Sequence, residues 1–239
     1  MRDELQVLTY DRPVAVIGDI HGCSDLLRAL LARLAGDMPI LVAGDLCDRG
    51  RDTRGVLDLL VARGAKGVRG NHDEWFIQFC EGRGFDSYAL NPLMGGGATL
   101  ESYGIFGRWP GEVEAQLHLV PPAHRSFVSA LPAALDLTVM GERYWLVHAG
   151  VPLLESLRGL TGEEVVPFLA RTKPGSLLWP KTDPEDVLPV GRTVIMGHVP
   201  LRRPVDTGTT LAIDTGAGTM RPYQLTAVIV PERRFVTVG

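Results

Sequence analysis

One repeated pattern constrains the fold more than any other: short apolar runs, each ending abruptly in a polar segment that contains glycine. Runs this brief cannot supply the stripe that a helix buries, so they read as buried strands. Val14 to Ile17, Ile40 to Ala43, Trp145 to Val147, Thr193 to Met196 and Leu211 to Ile213 all have this form, and Gly67 to Arg69 is a weaker member.

Between the first two runs, Leu26, Leu27, Leu30, Leu31 and Leu34 recur at helical spacing behind Ser24, which has the chemistry of an N-cap. A second helix is expected from Thr53 to Arg63, with Gly64 ending it and Val56, Leu57, Leu59 and Leu60 on its inner side. Further on, Asp136 to Met140 and Tyr144 to Val147 flank Gly141-Glu142 and predict an antiparallel hairpin. Tyr223 to Val230 and Phe235 to Val238 are strand candidates around Pro231-Glu232. Gly82 to Pro122 is rich in Gly and Pro and gives no clear periodicity. The whole reads as an α/β chain of two mixed β-sheets packed as a sandwich with helices outside, one domain over residues 1–239.

Composition narrows the class. With 24 Lys and Arg against 28 Asp and Glu, the chain lacks the basic excess that nucleic-acid binding by charge neutralisation leaves. Met1 to Leu5 is too acidic for a signal peptide, and no stretch is long enough to cross a bilayer, so a cytoplasmic protein with neither nucleic acid nor membrane as partner is expected. Cys23, Cys47 and Cys80 are odd in number and show no Cys-x-x-Cys spacing, which predicts free thiols.

The chemistry lies in the segments directly after the strands: Gly18-Asp19-Ile20-His21-Gly22, Gly44-Asp45-Leu46-Cys47-Asp48-Arg49-Gly50, Gly70-Asn71-His72-Asp73, His148-Ala149-Gly150 and Gly197-His198. Loops leaving the carboxyl edges of strands share a crevice, so side chains distant in sequence can meet there. The gathered donors are carboxylate, amide and imidazole without thiolate, a set suited to manganese, iron or zinc. Two such ions roughly 3.5–4 Å apart are the usual arrangement for phosphate-ester hydrolysis, and they lower the pKa of bound water from 15.7 towards about 7. If Asp19 and Asp45 are the only charged ligands, the centre stays positive and attracts a phosphate dianion. An alkoxide leaving group also needs a proton donor, for which His72 is the candidate, with Asp48 able to orient its ring and raise its pKa. Arg49 can grip phosphate oxygens through its forked donors. His118 and His124 lie outside these segments and read as surface residues. Asp73 and Glu74 read as helix starters rather than ligands, and Gly95-Gly96-Gly97 as an anion cradle or a flexible turn.

In this order the five segments resemble the fingerprint of the phosphoprotein phosphatase family, G-D-x-H-G, G-D-x-x-D-R-G, G-N-H-E/D, H-A-G and G-H. Asn91 to Thr99, Leu177-Leu178-Trp179 and Ile213-Asp214-Thr215-Gly216 resemble its small bacterial and phage serine/threonine phosphatases. The resemblance implies a calcineurin-like metallophosphoesterase fold with two divalent ions, manganese first and iron or zinc as alternatives. It implies Asp19 and His21 on the first ion, Asp45 bridging, and Asn71, His148 and His198 on the second. His72 and Asp48 would be the acid and its partner, and Arg49 and Asn71 would contact phosphate. Where bacterial relatives often carry a second arginine clamp, this chain reads Trp179-Pro180-Lys181, which leaves Lys181, Arg171 and Arg192 as alternatives.

The expected substrate is a phosphoprotein or a small phosphorylated molecule, with phosphoserine and phosphothreonine favoured because Asp48 is retained where the symmetrical dinucleoside tetraphosphatases often have alanine. Dinucleoside tetraphosphates are the alternative on the same site. A non-catalytic scaffold is the competing class; it would tolerate losing ligands, and none is missing.

Overall fold

The computed structural model describes residues 4–239. The reading of Met1 to Asp3 lies outside the described residues.

Among the described residues eleven strands form two sheets. The five-stranded sheet contains β2 (Val14–Ile17), β3 (Ile40–Val42), β4 (Lys66–Gly67), β10 (Leu225–Val230) and β11 (Arg234–Val238), in the order β11-β10-β2-β3-β4. The six-stranded sheet contains β1 (Leu5–Tyr10), β5 (Ala134–Val139), β6 (Glu142–Val147), β7 (Thr193–Met196), β8 (Val205–Asp206) and β9 (Thr210–Ala212), in the order β1-β5-β6-β7-β9-β8. Both are mixed: β2, β3 and β4 run parallel with β10 antiparallel to β2, while β6, β7 and β9 run parallel with β5 antiparallel to β6.

The continuous apolar runs have a direct cause in the layering. Successive side chains of a strand point to opposite faces, and here both faces are covered. Val14 and Val16 meet Leu135, Leu137, Leu146 and Ile195 between the sheets, whereas Ala15 and Ile17 face an outer layer of helices. That layer is built from α1 (Ser24–Leu31), α2 (Thr53–Ala62), α3 (Asp73–Cys80), α4 (Gly96–Ser102), α5 (Pro110–Glu114) and α6 (Pro122–Ser129). On the far side α7 (Gly162–Thr172) covers Trp145, Val147 and Met196 of the larger sheet. Each fully buried Val, Leu or Ile contributes roughly 1.5–3 kcal/mol relative to exposure, so the three apolar layers hold both sheets in register.

Most expected elements form, with informative differences. Ser24 is the first residue of α1 rather than its N-cap, a position taken by Cys23; its hydroxyl instead donates to Asp52 Oδ2 at 2.6 Å. Asp52 in turn caps α2 by accepting from Gly55 N at 2.9 Å, so one carboxylate ties the starts of two helices. The hairpin turns one residue earlier than the sequence suggests, at Met140 (φ 51°) and Gly141 (φ 89°). The obscure stretch from Gly82 to Pro122 contains α4, α5 and 3-10 turns at Ser87–Leu90 and Leu117–Leu119. His124 is buried, not on the surface: its ring bridges the Tyr103 hydroxyl (2.9 Å) and Asp58 (3.0 Å), joining α6 to α2 and to the residue that ends α4. The three cysteines are free, and no helix among the described residues is long and apolar enough to cross a membrane.

Candidate active site

The carboxyl ends of β2, β3, β4, β6 and β7 open towards one crevice, and each delivers one of the glycine-flanked segments to it. The backbone there is unusually constrained. Of seven non-glycine residues with positive φ among the described residues, five are site residues: His21 (44°), Asp45 (49°), Asp48 (74°), Arg49 (64°) and His198 (70°). Side chains pay for this left-handed conformation, so the surrounding packing has to over-determine it. The glycines make that packing possible: a Cβ on Gly70 would collide with Asp45, and one on Gly197 with Asp19. Asp73 locks two of the loops together, accepting from Leu46 N and Gly70 N at 2.8 Å each. It is therefore a brace between loops as well as the first residue of α3.

Four histidines face inward, and each is oriented by a bond on its other ring nitrogen. His21 Nδ1 donates to the Cys47 carbonyl (2.9 Å), His148 Nδ1 to the Ala43 carbonyl (2.8 Å) and His198 Nε2 to the Trp179 carbonyl (3.2 Å). His72 Nδ1 donates to Asp48 Oδ2 at 2.7 Å. With one ring nitrogen engaged in this way, the other nitrogen of each ring is turned to the crevice, the orientation that metal-ligating imidazoles require.

Two groups of donors result, and they share Asp45. His21, Asp45 and His72 bring their ligand atoms within 4.8 Å of one another, and so do Asp45, His148 and His198. Around His148 Nε2 stand Asn71 Oδ1 at 3.1 Å, His198 Nδ1 at 3.2 Å and Asp45 Oδ1 at 3.4 Å. A single proton cannot satisfy so many converging lone pairs, whereas a divalent cation with four to six oxygen and nitrogen ligands can. The donor set thus fits a metal pair with Asp45 between the two positions. Asp19 sits beside this group, with its oxygens accepting from His198 N at 3.1 and 3.2 Å and bonded to Asp214.

The electrostatics carry the same message. Burial, with Asp214 next, pushes the Asp19 carboxyl well above the usual carboxylate range. Burial would also raise Asp45, yet His148 and His72 hold it well below that range. Burial lowers His21 to about 3 and His198 to about 4, which keeps both rings neutral. Burial opposes the imidazolium of His148, but Asp45 and Asp19 outweigh it and raise its pKa to about 10, so this ring carries the positive charge that the carboxylates attract. Neutral His21 and His198 beside those buried carboxylates form a ligand set for a cation.

Beside this group lies the Asp48–His72 pair. Asp48 is fully buried, and its oxygens accept from Trp75 Nε1 (3.2 Å to each) and Thr99 Oγ1 (3.2 Å) besides His72. Burial opposes the imidazolium of His72, but Asp45 and the bond to Asp48 outweigh it and raise its pKa. Arg49 reaches across with both terminal nitrogens, donating to His21 Nε2 at 2.6 Å and His72 Nε2 at 3.0 Å. Gly95, left-handed at φ 82°, accepts from Arg49 N at 3.1 Å, and a Cβ there would strike Arg49. The glycine triplet is therefore a packing surface for the arginine loop.

The calcineurin-like phosphoesterase family model matches residues 12–229. The chain belongs to this family. Serine/threonine-protein phosphatase 1 of Salmonella typhimurium is 29% identical over 214 residues, covering 86% of this chain and 87% of the relative. An asymmetrical bis(5'-nucleosyl)-tetraphosphatase of Bacillus velezensis is 27% identical over 261 residues, covering 97% and 92%. A crystal structure described as a candidate diadenosine tetraphosphatase superposes with a TM-score of 0.63 at 21% identity, covering 99% and 97% of the two chains, and shares the fold. The chain is thus a metallophosphoesterase, a hydrolase whose family implies divalent ions and a phosphoester substrate.

For a calcineurin-like phosphoesterase the open side of the site decides what enters. A cavity of about 610 Å³ lies over Asp45, Arg49, Asn71, His72 and His198, and Lys181 lines it. Arg192 does not: it is clamped by Asp136 and Glu163 and lies over the Trp145 ring at 4.1 Å. Arg171 is exposed on α7 and does not line it either. Asp214, Trp75 and Thr99 are the residues that sequence reasoning undervalued. Only Asp214 carried a local signal, a polar residue two positions after the end of β9 and two before Gly216.

Proposed function

We propose that this metallophosphoesterase hydrolyses phosphate monoesters, with phosphoserine and phosphothreonine in proteins as its substrates. The observation that carries this reading is the buried Asp48–His72 pair, at 2.7 Å, beside Arg49. An alkoxide is a poor leaving group, and a positioned imidazolium is what it needs.

Asp19 and His21 would hold one divalent ion and Asn71, His148 and His198 the other, with Asp45 between them. When bound, such ions, manganese first with iron or zinc as alternatives, supply an activated water and neutralise the phosphate charge. Arg49 swings its fork from the two imidazoles onto phosphate oxygens, assisted by Asn71. Lys181, which lines the same cavity, adds a second positive charge. His72 Nε2 gives its proton to the departing oxygen, while Asp48 holds the ring and stabilises its charge.

Two measurements check this. Protein stripped by chelation and resupplied with manganese should cleave a phosphothreonine peptide with a higher kcat/KM than diadenosine tetraphosphate. If the dinucleotide wins by more than about tenfold, ~1.4 kcal/mol of differential transition-state binding, the substrate assignment is wrong. Lys181→Ala should raise KM for phosphorylated substrates by about tenfold or more, the worth of one charge-assisted hydrogen bond, with a smaller change in kcat. Unchanged kinetics would remove Lys181 from the phosphate site.

A further inference from the structure

A second cavity, of about 270 Å³, lies along α3 and shares Asn71, Met94 and Trp179 with the catalytic one. Its walls include two aromatic rings that are far from buried, Tyr88 at 55% and Trp179 at 49% exposure. Both are fixed through their main chains. Trp179 is held by the bond from His198, and Tyr88 N donates to Asp86 Oδ1 at 2.9 Å, so one tight turn presents a ring and a carboxylate together.

The polar lining is one-sided. Glu74 Oε1 is engaged by Arg69 at 2.9 Å, but among the described residues Glu74 Oε2, Asp86 Oδ2 and Gln78 Oε1 meet no donor. The one cation in the wall, Arg83, is taken by Glu81 at 2.6 Å. Free carboxylate oxygens beside aromatic faces form the environment that attracts a guanidinium or ammonium group. A second phosphate group would meet repulsion there.

Building on the phosphoprotein reading, we propose that this cavity binds an arginine or lysine side chain flanking the phosphorylated residue of the substrate. The phosphate then sits under Arg49 and Lys181 while the basic side chain is held by Asp86, Glu74 and the Tyr88 and Trp179 rings. The enzyme would select basic phosphosites through a contact remote from the chemistry.

The test is a set of phosphothreonine peptides in which a single arginine is moved through the flanking positions of an otherwise alanine sequence. Wild-type protein with manganese should favour at least one arginine position by about tenfold in kcat/KM, a preference that shrinks as salt rises. Asp86→Asn retains the turn to Tyr88 N, and Tyr88→Ala removes a ring. Each should cut the preference below about threefold while p-nitrophenyl phosphate turnover stays at the wild-type value, which also reports that both variants fold. Equal kcat/KM across the arginine series, or a preference that survives both substitutions, overturns the inference and leaves the phosphoprotein assignment standing. Turnover of p-nitrophenyl phosphate but of no phosphopeptide overturns both.

Discussion

Asp45→Asn is expected to strip the protein of bound metal and reduce phosphatase activity by on the order of 10³-fold or more, since ion-derived charge stabilisation is worth several kcal/mol at about 1.4 kcal/mol per tenfold. The size follows from position. Asp45 belongs to both donor groups, one oxygen 3.5 Å from His21 Nε2 and the other 3.4 Å from His148 Nε2. An amide offers one neutral oxygen where the carboxylate offers two charged ones, so neither ion position keeps its ligand set. The amide oxygen can still accept from His72 N, the bond that Asp45 Oδ1 makes at 3.0 Å, so the loop should stay folded. Metal analysis after dialysis, paired with circular dichroism, separates the two effects. A folded variant that keeps two ions and more than a tenth of the activity would remove Asp45 from the bridging position.

How much of this was legible beforehand depends on where the physical cause resides. Strands covered on both faces are written as uninterrupted apolar runs, so β2, β3, β7 and β9 could be found within a residue of their ends, while β6 begins two residues before the expected Tyr144 because its first two residues are exposed. The proposed ligands other than Asn71 could be singled out because each lies just after such a strand, whereas Asn71 follows the two-residue β4 and was marked by its glycine-flanked segment alone. By contrast β1 is an edge strand whose residues are half-buried or exposed, and it precedes no site residue, so neither signal marked it. The support of Asp48 was invisible for a different reason. Thr99 lies 51 residues away and Trp75 lies 27 away, on separate helices, and nothing local distinguishes an indole that donates to a carboxylate from one that merely packs. His124 was misread likewise, because its partners come from elsewhere in the chain, Asp58 from α2 and Tyr103 from the end of α4. Sequence patterns report burial and turns well; they report which buried polar groups find each other poorly, since that is decided by packing between elements.

That buried support gives the second large effect its direction. His72→Asn should lower kcat on phosphothreonine peptides by on the order of 10²–10⁴-fold, the usual worth of general acid catalysis, while removing much less from p-nitrophenyl phosphate. The difference arises at the leaving oxygen, because a nitrophenolate departs without a proton and a threonine alkoxide does not. His72 also stands within ligand distance of His21 and Asp45, so a rival account makes it a metal ligand rather than an acid. The two accounts part on the ratio. Loss of a ligand disables the activated water and slows both substrates alike, whereas loss of the acid spares the aryl ester. Asp48→Asn sharpens the comparison: it should weaken the 2.7 Å bond that holds the ring and the charge that favours its protonated form, and so reproduce the same leaving-group bias in milder form. Equal losses on aryl and alkyl phosphates in His72→Asn, accompanied by a fall in bound metal, would reassign the residue to the metal centre and remove the proposed donor to the departing alkoxide.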